Sequence, residues 1–309
     1  MSFWKSGIKL YPADEVIRVT LRDFVVLRCS KLIPDKQWIK FKYYTHFHKK
    51  LDLKNPKTFN EKLQWLKLYY RRPDHTRIVD KYEMKQYVTE KIGPGYVIPV
   101  LGVWNSVEEI DFASLPKSFV LKTTHDCGGL VICTDKDKLD IEAAKRKLNH
   151  SLHTDYYIQY REWPYKNVSP RIIAEEYMQD ESGTQLKDYK FFNFNGTPFC
   201  VQVDFDHFSD HKKNMYSTDW ELLDFSFNYP AHPEITIDKP DNLDEMLRIS
   251  RILSEGEPFV RTDFYSVNGK LYVGEITFFP ASGYGKFDPE KIDLELGDKI
   301  ILPEKVISR

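Results

Sequence analysis

Apolar and polar positions along this chain change rhythm about a third of the way in. Over residues 62–70, and again over 80–91, apolar side chains recur at helical spacing. Thr58-Phe-Asn-Glu61 is a capping box ahead of the first run, in which the Thr hydroxyl and the Glu carboxylate satisfy each other's free backbone N–H groups. Pro73 stops that run, and Gly93-Pro94-Gly95 ends the second. A short strand is expected over residues 97–100. From Ser118 onward the runs shorten and become β-rich: residues 119–123, 130–133, 171–178, 188–194 and 199–205. The last two flank the turn Asn195-Gly196. Helices over residues 140–152 and 242–254 interrupt the strands. The pattern is α+β, with mixed and largely antiparallel sheets.

The C-terminal hairpin carries the sharpest expectation. Phe-Val-Arg261-Thr-Asp263-Phe-Tyr and Gly-Glu275-Ile-Thr277 flank the turn at Asn268-Gly269. Each strand holds a carboxylate in apolar company, which is costly unless something compensates it. A divalent cation between Asp263 and Glu275 would do so, since magnesium takes few carboxylates and completes its shell with water and phosphate. Faces alternate along a strand, so register decides whether the two can meet. A two-residue turn puts them on opposite faces. A three-residue loop over 267–269, with Ser266 opposite Lys270, puts Arg261, Asp263, Glu275 and Thr277 on one face. The second register is predicted. A sheet with edge carboxylates paired to lysines is the plainer alternative.

Composition narrows the class. With 309 residues the chain is long enough for one large domain or two smaller ones, and its formal net charge of -1 argues against bulk nucleic-acid or anionic-membrane binding. Cys29, Cys127, Cys133 and Cys200 show no paired metal-ligand spacing and read as reduced thiols of a cytosolic, cytoplasmic protein. No apolar run is long enough to span a bilayer, and the first residues lack the apolar core of a signal peptide. Residues 16–33 mix Val, Leu, Phe and Ile with Arg18, Arg22, Arg28 and Lys31. They read as a basic amphipathic helix, either packed on the body, which is the plainer view, or in peripheral contact with a membrane surface.

Further candidates lie on other strands. His125-Asp-Cys-Gly128-Gly129 joins strand to strand, and small residues there would let backbone N–H groups approach phosphate oxygens. It lacks the helix N-terminus that the Walker and dinucleotide motifs require. Lys122 precedes the loop inside an apolar strand, and Lys190 sits likewise in Asp-Tyr-Lys-Phe-Phe. One anionic ligand with a metal would satisfy the lysines and carboxylates together; unrelated ion pairs would also do so. His46 and His48 lie close together without a metal-ligand pattern and read as surface histidines.

Taken in order, these residues resemble the TupA-like branch of the ATP-grasp superfamily, named for teichuronopeptide biosynthesis. The resemblance runs over about residues 51–302. It rests on Asn55-Pro-Lys-Thr-Phe-Asn-Glu61-Lys-Leu-Gln-Trp65, Asp80-Lys81-Tyr, Leu121-Lys122-Thr-Thr-His125-Asp-Cys-Gly128-Gly129, Ile173-Ala-Glu175-Glu176-Tyr, Asp188-Tyr-Lys190-Phe-Phe, Arg261-Thr-Asp263-Phe-Tyr and Gly274-Glu275-Ile-Thr277. No one motif is strong; their order and spacing are specific.

The resemblance implies two α+β subdomains gripping ATP between their sheets. A helical region over residues 1–95 would precede a small subdomain over 96–178 and a large one over 179–309. It assigns Lys122 and Lys190 to the phosphates, with Gly128, Gly129 and His125 in the loop that covers them. Glu175, Glu176, Tyr177 and Met178 would meet adenine at the hinge, and Asp188 or Glu181 the ribose. Asp263 and Glu275 would hold magnesium. Arg261 would stabilise the transferred phosphoryl group or the tetrahedral intermediate. Thr277 stands where many ATP-grasp enzymes carry Asn, which weakens a second metal site. A Rossmann-like leading domain is not readable in residues 1–95.

In this superfamily ATP converts a carboxylate to an acyl phosphate, which an amine attacks. The expected function is an ATP-dependent carboxylate–amine ligase joining an amino acid or amine to a uronic-acid carboxylate of surface polysaccharide, a small-molecule or glycan substrate. The aromatic segment Tyr156, Tyr157, Tyr160, Trp163 and Tyr165 suits sugar faces, or equally the core. A sugar or glycan kinase is the runner-up. A glycosyltransferase using Asp204-Phe-Asp206, and a scaffold without catalysis, are the remaining alternatives.

Overall fold

The computed structural model describes residues 30–179, 186–205 and 212–306. Most of the amphipathic segment expected over 16–33, Cys29, Glu181 and Asp206 lie outside the described residues. Helices α1 (Asp35–Phe47), α2 (Phe59–Tyr69), α3 (Asp74–Val79) and α4 (Glu83–Ile92) come first. The capping box at the start of α2 is formed in both directions: Glu61 N donates to Thr58 Oγ1, and Thr58 N donates to Glu61 Oε2. Pro73 stands at the start of α3 rather than merely ending α2, its fixed φ suiting a first helical turn.

Two sheets follow. The first is four-stranded, in the order β1 (Val100–Trp104), β4 (Ile172–Glu176), β2 (Phe119–Thr123), β3 (Leu130–Cys133). The strand expected over 97–100 is displaced to β1. Pro99 has no N–H to give a ladder, so pairing starts beyond it, and Val97 makes only an isolated bridge to Val273. Helix α5 (Ile141–Leu152) covers one face of this sheet, its N-terminus capped by Asp140, and α6 (Tyr156–Tyr160) leads on to a 3-10 turn over Trp163–Asn167. The small core here contains Phe119, Leu121, Leu148, Ile172 and Ala174.

The second sheet is five-stranded, in the order β10 (Lys270–Thr277), β9 (Phe259–Val267), β5 (Asp188–Phe194), β6 (Thr197–Phe205), β7 (Lys212–Ser217). All its pairings are antiparallel. A two-stranded sheet joins β8 (Ser226–Phe227) to β11 (Phe287–Asp288), α7 (Leu243–Ser254) packs on β5, β6 and β9, and α8 (Lys291–Lys299) packs on α2. The leading helices are not a separate body. Ile39, Phe59, Leu63 and Met84 share one core with Phe191, Phe192, Ile249 and Phe264 from the large sheet and α7.

The β9–β10 register corrects the expected one. Asn268 and Gly269 form a two-residue turn with positive φ at both positions (50° and 76°), and Val267, not Ser266, faces Lys270. Asn-Gly favours this turn because both residues tolerate that conformation. The shared face nevertheless forms, by another route. The ladder slips at Gly274, so that Glu275 faces Asp263 and Thr277 faces Arg261. This is a β-bulge, one extra residue on one strand.

Candidate functional site

The bulged register builds a charged face across adjacent strands. Lys190 on β5 lies opposite Asp263 on β9 and Gln202 on β6, and Asp204 on β6 lies opposite Asp188 on one side and Lys213 on the other. The Lys190 ammonium is bonded to the Asp188 carboxylate and stands 3.3 Å from Asp204 Oδ2 and 4.0 Å from Asp263 Oδ2. Lys213 Nζ is 3.7 Å from Asp204 Oδ2. Arg261 grips Asp263 with two hydrogen bonds, 2.7 Å from Nε and 2.6 Å from Nη2, and its Nη2 lies 3.3 Å from Thr277 Oγ1 and 3.9 Å from Glu275 Oε2.

Burial works against every charge here, so the pairing decides their state. It opposes the Lys190 ammonium, but the Asp188, Asp263 and Asp204 carboxylates outweigh it and hold that group well above the ordinary lysine range. It opposes the Arg261 guanidinium in the same way, and Asp263 and Glu275 outweigh it. Lys213 goes the other way: desolvation lowers it more than Asp204 raises it.

A second charged set sits on the small sheet. Glu175 on β4 lies opposite Val120, two residues from Lys122, so the two side chains share a face. Lys122 Nζ is 2.6 Å from Glu175 Oε2, and Lys85 Nζ from α4 is 2.5 Å from Oε1. Lys85 also donates to the Ile98 carbonyl at 2.9 Å. Burial alone would raise the Glu175 carboxyl; the two ammonium groups overcome it and lower the group below its ordinary value. Glu176 is exposed, and Tyr177 and Met178 are half-buried beyond the end of β4.

Two contacts bring the sets near each other. Met178 and Leu186 pack with Tyr265, Val267 and Tyr272 of the large sheet. The Tyr265 hydroxyl feels the carboxylates of Asp188, Asp263 and Glu275 from its own sheet and of Glu175 from the other. Farther along, a cavity of about 230 Å³ has Cys127 of the glycine loop on one wall and Arg261, Glu275 and Thr277 on the other.

The loop itself is held from behind. Asp126 accepts from the hydroxyls of Thr123 and Ser151 and, at 3.3 Å, from the Gly129 N–H. His125 is buried, with Nε2 3.1 Å from the Ser151 carbonyl and 3.2 Å from that of Thr154, so its ring turns toward α5. A Cβ on Gly129 would meet Thr123 Oγ1 at 2.0 Å, so close packing already requires that glycine; one on Gly128 would meet the Asp126 carboxylate at 3.3 Å.

Several polar residues of the cleft stood out weakly or not at all in the sequence. Lys85 and Lys67 occupy core positions of amphipathic helices, and a lysine on an apolar stripe was the available signal. Lys213 had none, and for Glu162 the signal was a carboxylate inside the aromatic segment. The aromatic segment divides: Trp163 is core, while Tyr156 and Tyr165 line the cavity. His46 stacks on Tyr284 at 4.5 Å, and no group of three or more metal-ligating His, Cys, Asp or Glu side chains occurs among the described residues. No helix among them is long and apolar enough to cross a membrane.

The TupA-like ATPgrasp family matches residues 61–301 of this sequence. The chain belongs to the TupA-like ATP-grasp family. Solved structures similar to it include D-alanine–D-alanine ligase from Bacillus anthracis complexed with ATP, at 15% identity over 65% of this chain and 54% of that one, with a TM-score of 0.37. The corresponding ligase from Helicobacter pylori is 16% identical over 73% and 61%, with a TM-score of 0.38. N5-carboxyaminoimidazole synthetase from Staphylococcus aureus is 16% identical over 65% and 44%, with a TM-score of 0.38. The chain thus spans less than two thirds of each of these structures, and at such scores the likeness carries no weight for activity. No curated protein matches the sequence.

Proposed function

We propose that this TupA-like ATP-grasp protein is an ATP-dependent carboxylate–amine ligase working through an acyl phosphate. The observation that carries the reading is that half-buried Lys122 and Arg261 and buried Lys190, each paired to carboxylates, lie on two sheets that meet through Met178, Leu186 and Tyr265. Desolvated charges stay affordable only while paired, and phosphate oxygens with a metal ion would exchange these internal pairs for new ones on binding.

The donor set suits a hard cation. Asp263 and Glu275 are neighbouring carboxylates on facing strand positions, and the buried Asp188 Oδ1 has no hydrogen-bond partner. Two carboxylates with phosphate oxygens and water are what Mg²⁺ ordinarily takes. Both Asp263 oxygens are held by Arg261, so these residues would accept the ion only as the guanidinium turns toward the substrate. The ion would supply charge neutralisation on the phosphates.

The chain's own residues account for the remainder. Lys122, oriented by Glu175, and Lys190, oriented by Asp188 and Asp204, bind phosphate oxygens. The β4 end from Glu175 to Met178 meets the base. Arg261 holds the oxyanion that develops at the acyl carbon. The cavity beside it takes the carboxylate substrate and keeps water from the activated acyl group. A uronic acid of surface polysaccharide, modified on the cytoplasmic side of a membrane, is the substrate class we favour, with any peripheral membrane contact supplied by the segment over 16–33.

The test is ADP and phosphate release with ATP, Mg²⁺, a uronate panel and an amino-acid panel, with product masses measured. An amide product supports the reading; ADP with a phosphorylated sugar and no amide replaces it with a kinase. Asp263→Asn and Lys122→Ala should each abolish turnover in a folded protein, and full activity in either removes the site assignment. No change in melting temperature with ATP and Mg²⁺ would favour a non-catalytic role, because a ligand that binds only the folded state must raise it.

A further inference from the structure

The cavity beside Arg261 contains a buried carboxylate that the reading above leaves without a task. Glu162, between α6 and the 3-10 turn, lines the cavity that Arg261, Glu275 and Thr277 also line, and only 3% of its surface is exposed. Its Oε1 accepts from Ser282 Oγ at 2.5 Å and from the Tyr156 hydroxyl at 3.4 Å. Lys67 lies behind it, wholly buried in α2, donating to the carbonyls of Ser282 at 2.6 Å and Tyr160 at 3.1 Å. A structural carboxylate buried to this degree would be expected to sit in a direct ion pair away from solvent-filled space. This one instead faces a cavity, with its cation held one step back by backbone carbonyls.

We propose that Glu162 is the proton acceptor for the amine: it docks the incoming ammonium in this cavity and removes its proton. The inference rests on the ligase reading. An ammonium has no lone pair and cannot attack. Once its proton has passed to Glu162, the nitrogen lone pair forms the C–N bond to the acyl carbon. The C–O bond to phosphate breaks, and inorganic phosphate leaves with that electron pair. The second N–H proton departs with phosphate or to water.

The groups facing Glu162 suit this task. Lys67 faces it from α2, Tyr156 and Tyr160 from α6, Tyr165 from the 3-10 turn, Tyr284 from beyond Ser282, and Glu275 from β10. Burial pushes the Glu162 carboxyl above the ordinary range, while Lys67 and Ser282 oppose that rise. Burial likewise pushes the Lys67 ammonium down. A base raised toward neutrality is the efficient kind. Lys67 is a positioning residue in this account, acting through Glu162 and the Ser282 carbonyl.

Hydroxylamine separates the two halves of the reaction, because it is already unprotonated at neutral pH and needs no base. Wild-type protein and Glu162→Gln are compared with ATP, Mg²⁺ and glucuronate or galacturonate, using first hydroxylamine and then glycine as the acceptor. Glu162→Gln should form hydroxamate within about twofold of wild type while glycine amide falls by about a hundredfold, the lower end of the usual loss for general-base removal. The acid limb of the glycine pH profile should vanish with it. Equal rates with glycine in both proteins overturn the inference and leave the ligase reading standing. A parallel loss with both acceptors, not relieved by Glu162→Asp, marks Glu162 as structural and also overturns it. Glu162→Asp covers a Gln variant that fails to fold: it should slow glycine more than hydroxylamine, and an unchanged ratio again overturns the inference. Absence of hydroxamate from wild type with either uronate counts against the ligase reading itself and takes the inference with it.

Discussion

Gly274 lies against the ring of Tyr265: a Cβ built on it would come within 2.6 Å of Tyr265 Cε2. That close approach sits at the bulge, and the bulge is what turns Glu275 onto the face of Asp263. Gly274→Val must push the ring or the strand aside. The extra bulk should cost about 1–3 kcal/mol of stability. It should also weaken the Mg²⁺-ATP-induced rise in melting temperature beyond what the stability loss explains. Thermal shift with and without Mg²⁺-ATP checks this; an undiminished shift would mean that the bulge is not needed for the site.

Glu175 tests the small-sheet cluster through pH. Its folded-state pKa lies below the ordinary glutamate value of 4.5, because Lys122 and Lys85 outweigh burial. The ionised group therefore contributes stability that is fully present above about 4.5 and is lost as pH falls through the lowered folded value. Glu175→Gln should be less stable than wild type at neutral pH, by about 3 kcal/mol if both lysines stay charged. The difference should shrink as the solution becomes more acidic than that window. Urea unfolding at neutral and acid pH measures it, and a gap that widens in acid would contradict the assignment.

Lys190 offsets the charge of three carboxylates. Removing it in Lys190→Met takes the nearest ammonium from Asp188, Asp204 and Asp263, with Lys213 and Arg261 remaining among the described cations. Breaking a buried ionic network in this way costs about 3–5 kcal/mol. Mg²⁺ without nucleotide should then raise the melting temperature of the variant more than that of wild type, because the ion replaces the missing charge. Equal responses would place the ion elsewhere.

Gly297 on α8 offers a control outside the charged cluster and the cavity. A Cβ there would lie 2.1 Å from the Lys57 carbonyl oxygen, against backbone that cannot rotate away. Gly297→Ala should lower stability by about 2 kcal/mol or more by forcing α8 from the start of α2. KM for ATP should stay near wild type at temperatures where the variant is folded.

The charged positions of the cleft were largely legible because each broke a local rule. Lys122 and Lys190 interrupt apolar strands, and Asp263 and Glu275 do the same on the hairpin. Lys213 broke no such rule: it lies in polar surroundings along the chain, and only folding gives it charged neighbours. Glu162 did stand inside an aromatic run, but nothing along the chain tied it to the residues of the distant hairpin. The loop glycines were readable as a tight turn, but the demand on Gly129 comes from Thr123 at the end of β2 and from Ser151 on α5, the latter a distant neighbour in sequence.

By itself the sequence determined what depends on near neighbours: the capping box at Thr58, the places of the Asn-Gly turns though not the loop length at Asn268, the strand and helix periods, and the order of motifs that marks the family. Local sterics and hydrogen bonding suffice for those. Tertiary structure alone decided the register beyond Gly274, the inward turn of His125, the merging of the leading helices with the large sheet, and the position of Glu162 beside Arg261. Each depends on which distant side chains compete for the same volume or the same charge, and periodicity along one chain does not encode that competition.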